Sequence, residues 1–136
     1  MTQYIKEGLD RNAALLSIRP VLQLDQQETL PLEQFQNQVL RPILKFQNAI
    51  LLQCFRMSSQ FLSHLTKVDK TNIKTLESGV FNFLKSNHHF RNKIFGIVLG
   101  LMTEDEVATY HTNTAEYNRR ITSMLVKRVA GQLEAI

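Results

Sequence analysis

FQNQVLRPILKFQNAIL, residues 35–51, carries the tripeptide FQN twice, at 35–37 and 46–48, with Pro42 between the copies. An α-helix turns about 100° per residue, so eleven residues return to within about 20° of the start. The spacing predicts one helix that places Phe35 and Phe46 on a single stripe with Leu32, Val39, Ile43, Ile50 and Met57. Leu40, Leu44, Leu51 and Phe55 form a second apolar row. Asn37 and Asn48 share another stripe, about 160° from the Phe row, with Arg41 and Lys45 beside them. A segment apolar over more than half its circumference is the central helix of a bundle. Two copies of a tripeptide are too few for a repeat protein.

Pro42 interrupts this reading. A proline inside a helix removes a hydrogen bond and clashes with the preceding turn, at about 3 kcal/mol. It also biases Arg41 away from helical dihedrals. An unbroken helix over residues 30–65 would be about 54 Å long. The expectation is a long central helix kinked or broken near Pro42.

Outward from there the same periodicity continues. Residues 3–17 carry Ile5, Leu9, Ala13 and Leu16 at helical spacing and end before Pro20. Residues 18–29 read as a connection, and Thr29 as an N-cap for the central helix. KVDKTN, 67–72, is a polar joint in which Asp69 or Thr71 would cap the next helix. That helix buries Ile73, Leu76, Val80, Phe83 and Leu84. Asn87 would cap a helix carrying Phe90, Ile94, Ile97, Val98 and Leu101. Thr103-Glu104-Asp105-Glu106 has the form of a capping box, with acids in the first turn. A last helix over roughly 114–134 puts Tyr117, Ile121, Met124, Leu125, Val129 and Leu133 on one side. No segment alternates with period two. The expected fold is all-α: one domain over 1–136, a bundle of five or six helices.

The bulk figures agree. Hydrophobic residues at 43% and charged residues at 21% exclude a disordered chain. The N-terminal residues show no apolar leader pattern. IFGIVLGLM, 94–102, is too short for a membrane span of about 20 residues. Cys54 is the single cysteine, so a reduced, cytoplasmic protein is the default. Charge is uneven: residues 36–103 hold nine bases against two acids, whereas 1–35 hold three against five and 104–136 four against five. Such a basic middle attracts an anionic partner, or is the solvated side of ordinary helices.

Five groups of residues are weighed as sites. Asn37, Arg41, Lys45 and Asn48 form a polar face that would hold a carboxylate or phosphate, or simply face water. Gly96 and Gly100 clear one side of a helix for a close helix crossing, within the core or between subunits. Arg119, Arg120, Lys127 and Arg128, near Tyr117, would bind an anion such as nucleic acid, although Glu116 and Glu134 dilute them. Cys54 would need a histidine and an acid beside it to act as a nucleophile; its apolar neighbours fit a buried small residue. His64, His88, His89 and His111 match no Glu-x-x-His, His-x-x-x-His or His-Glu-x-x-His spacing, so no metal or other cofactor is implied.

PLEQFQNQVLRPILKFQNAILL, 31–52, and FRNKIFGIVLGLMTEDEVATYHTNTAEYNRRITSMLVKRV, 90–129, together resemble a family of small bacterial helical proteins of unassigned function. Some members carry a glyoxalase label. That activity implies β-strands and His/Glu metal ligands, and the residues here offer neither. The resemblance implies a fold and no site residues. The leading expectation is therefore a non-catalytic protein-interaction module that self-associates, with no membrane part. A basic module binding nucleic acid or another anionic ligand is the alternative, and an enzyme using Cys54 or the histidines the second alternative.

Overall fold

The computed structural model describes residues 7–20 and 30–133, and among them every regular element is helical. The elements are α1 (Glu7–Ile18), α2 (Pro31–Phe35), a π turn (Gln36–Leu40), α3 (Arg41–Phe46), α4 (Asn48–Arg56), α5 (Ser59–Leu65), α6 (Ile73–Ser86), α7 (His88–Leu99), α8 (Glu104–Tyr110) and α9 (Thr114–Ala130). This is a finer division than five or six helices. Residues 3–6, Thr29 and Glu134 lie outside the described residues.

The central segment departs from expectation at a specific place. The backbone stays helical through Arg41 and Pro42, and the irregularities fall on either side of the proline. Before it, the π turn widens the helix by one residue, and the Arg41 N–H donates to the Gln36 carbonyl five residues back. After it, Gln47 leaves helical geometry at φ −88° and ψ 7°. The wide turn has a consequence for the core. Leu40 follows Phe35 by five residues, one π turn, and takes over its inward position. Leu44, Leu51 and Phe55 then continue the buried row. The expected single stripe holds in its first half, where Phe35, Val39 and Ile43 are buried, and is corrected in its second, where Phe46 is 44% exposed, Ile50 53% and Met57 71%.

Four phenylalanines tie the next helices together. Phe55 meets Phe61 and Phe90, each at 4.8 Å, and Phe83 meets Phe61 at 5.1 Å and Phe90 at 5.3 Å, all edge to face. The closed ring joins α4, α5, α6 and α7, and each such pair contributes about 0.5–1.5 kcal/mol beyond its buried area. α9 lies along α6 and reaches the π turn, and Tyr117 packs on Phe35 at the end of α2 at 4.6 Å. Its buried stripe is Tyr117, Ile121, Leu125 and Val129.

Caps fix the joints. Thr103 and Glu106 form the expected capping box of α8. Asn72, rather than Asp69 or Thr71, caps α6, accepting from the Lys74 and Thr75 N–H groups. Asp69 instead holds the turn before it through Thr71. Asn87 donates back to the Phe83 carbonyl, so its side chain closes α6 and gives α7 no side-chain cap. Two arginines fasten the α1 region to the end of α7. Arg11 donates to the carbonyls of Met102 (3.2 Å) and Gly100 (3.1 Å), and Arg19 to that of Leu101 (3.2 Å) and to Glu106. The end of a helix offers unpaired carbonyls and negative potential, which suits these cations.

Gly96 and Gly100 show no helix crossing among the described residues. A Cβ at Gly96 would meet nothing within 4 Å, and one at Gly100 only carbonyls of its own helix. The close approach is at Gly79 in α6, where a Cβ would stand 2.9 Å from Val68 Cγ2. Chemical denaturation should therefore separate the two glycines. Gly96→Ala is expected to stabilise the fold by about 0.5–1 kcal/mol. Gly79→Ala is expected to destabilise it by about 1–3 kcal/mol through overpacking.

Candidate anion-binding groove

The π turn and α9 build one groove from residues some 80 positions apart. Its volume is about 640 Å³, and its charged and amide lining is Gln36 and Arg41 from one side, Arg119, Arg120, Lys127 and Arg128 from α9, with Gln132 at the end. The local reasons are simple. On α9 the buried stripe anchors one face, so Arg120, Met124 and Arg128, each four apart, rise on the flank toward the π turn. Gln36 and Arg41 are five apart, and the wide turn sets both toward the same groove.

Arg41 and Arg128 are held by neutral oxygens, and Arg120 in part. Arg41 donates through Nε and Nη2 to Asn37 Oδ1, at 3.2 and 3.1 Å. Arg120 donates to Gln36 Oε1 at 2.8 Å. Arg128 reaches Asn48 Oδ1 at 3.4 Å, and Asn48 exchanges hydrogen bonds with Gln132 at 2.9 and 3.0 Å. Amide oxygens orient a guanidinium without cancelling its charge. Burial, and then the neighbouring Arg41 charge, push Arg128 below its ordinary value.

Glu116 is the carboxylate that meets this set. It accepts from Arg119 at 3.0 and 2.6 Å and from Arg120 at 2.9 Å. These two guanidinium groups hold its carboxyl down from 4.5 to about 2. Among the described residues no carboxylate pairs with Arg41, Lys127 or Arg128.

Of the two polar faces read from the sequence, the α9 set lines the groove and the central-helix face contributes Arg41 to it. Arg41 joins Arg119, Arg120, Lys127 and Arg128 in the lining, while Asn37 and Asn48 act as tethers. Lys45 is exposed and does not line the groove. Gln36 and Gln132 were missed. Gln132 had a signal, since it follows Arg128 by four and shares its face; Gln36 had none, because its alignment with Arg41 depends on the π turn.

The remaining candidates separate. Cys54 and His89 line one shallow hollow with Ile50, Met57 and Phe90, but no carboxylate lines it and no hydrogen bond joins the two. His64 is engaged with the Gly79 carbonyl at 2.9 Å. His88, His89 and His111 are exposed. No group of three or more His, Cys, Asp or Glu side chains is placed to hold a metal ion among the described residues. No helix there is long and apolar enough to cross a membrane.

The described residues define an all-helical protein with a basic groove. No family model, curated protein or solved structure matches the chain.

The ion pairs at Glu116 have a readable pH signature. The folded-state value lies below the ordinary one, so their stabilising effect is present above about 4.5 and is lost as pH falls toward about 2. An NMR titration of the Glu116 carboxyl carbon should show its midpoint near 2. In a variant carrying both Arg119→Gln and Arg120→Gln it should return to about 4.5. A midpoint near 4.5 in the unaltered protein would contradict the pairing.

Proposed function

We propose that this chain is a non-catalytic binding module whose groove takes a phosphate-bearing anion. The observation that carries the reading is the convergence of Arg41, Lys127 and Arg128 without a carboxylate among the described residues. Like charges brought together raise the energy of the folded state, and an anion between them relieves it. Guanidinium forks match phosphate geometry, and the amide tethers keep them in place before binding. The lone Cys54 supports a reducing, cytoplasmic setting.

A second reading is self-association through an apolar face, supported by Phe46, Ile50 and Met57. They are exposed on α3, on α4 and just after it. Ile50 and Met57 also line one hollow, and clustered exposed apolar residues mark contact surfaces. In sedimentation velocity at high protein concentration this reading expects a dimer that Ile50→Glu converts to monomer. A strictly monomeric wild type removes it.

For the anion reading, calorimetry with sodium tripolyphosphate at low salt should show one-to-one binding. Arg41→Gln and Arg128→Gln should each weaken it about tenfold, the loss of one charge-assisted contact. Lys45→Gln should leave it unchanged. No heat and no NMR shifts at the groove would refute the proposal.

A further inference from the structure

The basic groove is one flank of a ridge. Arg119, Ser123 and Lys127 line it and also line a second, larger groove of about 760 Å³ on the opposite flank of α9, bounded by α6 and α7. That second groove adds two more cations, Lys85 and Arg91, against the single carboxylate Glu77. It also holds Phe81, which is 45% exposed, together with the amides of Asn82 and Asn118. A soluble helix ordinarily turns such a ring inward, as α6 does with Phe83. Phe81 therefore leaves nearly half of its surface open in a groove also lined by cations and amides.

Each ligand class makes a different demand on these features. A small polyphosphate uses the guanidinium groups and has no use for the ring. A double helix keeps its bases stacked inside, away from Phe81. A single strand uses both, because phosphates seek the cations and an unpaired base stacks on an aromatic face. From Arg119 to Lys127 the ridge is about 12 Å long, a span for a few nucleotides. Resting on the groove reading above, we infer that the ligand is a single-stranded nucleic acid draped across the α9 ridge, its phosphates on the arginines and one base on Phe81.

The test measures fluorescence anisotropy of a labelled eight-nucleotide oligothymidylate at low salt, beside calorimetry with tripolyphosphate. The oligonucleotide is expected to bind, and Phe81→Ala to weaken it about 5- to 150-fold, the loss of one stacked base. Phe81→Leu, which keeps apolar bulk and protects the fold, should weaken it similarly. Neither change should alter tripolyphosphate binding, whereas Arg128→Gln should weaken both ligands. If tripolyphosphate binds but the oligonucleotide does not, or is indifferent to both Phe81 variants, the nucleic-acid inference fails and the groove reading stands. A duplex of equal length binding as tightly as the single strand also overturns it. If neither probe binds, both readings fall.

Discussion

Pro42 has no N–H to give, and the chain meets that deficit inside a helix rather than at its end. The preceding turn opens to π geometry, which supplies Arg41 with an acceptor five residues back. Much of the architecture follows from this one extra residue. The inward face passes from Phe35 to Leu40, so the row Leu40, Leu44, Leu51 and Phe55 enters the core. Phe55 then completes the ring of phenylalanines that holds α4 to α7. The outward face gains as well, because Gln36 and Arg41 are brought into line opposite α9. π turns inside helices commonly accompany functional sites, and here the turn builds one wall of the groove.

Periodicity was enough to read the helical class, most of the helices and the buried stripe of α9, since those depend on neighbours three and four residues apart. It failed where geometry was non-local. Phe46 shows this most clearly: eleven residues of ideal helix would bury it with Phe35, and the wide turn exposes it. The caps divide in the same way. Thr103 and Glu106 form a reciprocal local pair, legible as a motif. Asn72 over Asp69 was a choice between near neighbours that the turn decided. Arg11 and Arg19 reach carbonyls about 80 to 90 positions away, and no local pattern announces that. The groove was half legible. The polar face of the central helix and the bases of the last helix were each visible locally, but their meeting required the packing of α9 on the π turn.

The choice of tethers explains why the groove keeps its charge. Had carboxylates held Arg41 and Arg128, each would be a neutral pair of small net value. Asn37 and Asn48 hold them through amide oxygens instead. Orientation is secured, and the field stays available to a ligand. Arg128 bears the cost of this arrangement, half-buried and near another guanidinium.

Glu116 grades the groove. Its carboxylate already occupies Arg119 in a two-point contact and Arg120 in a one-point contact. A phosphate arriving there must displace an anion that is part of the fold, so those two arginines offer less than their charge suggests. Arg41, Lys127 and Arg128 face no such competitor among the described residues, so an incoming anion gains most there. Arg119, by contrast, is exposed on the ridge, where its pair with Glu116 is screened by salt and can exchange partners. On the proposed reading, the arrangement gives one strong end beside the π turn and a weaker, exchangeable crest, a gradient that a flexible chain of charges would follow.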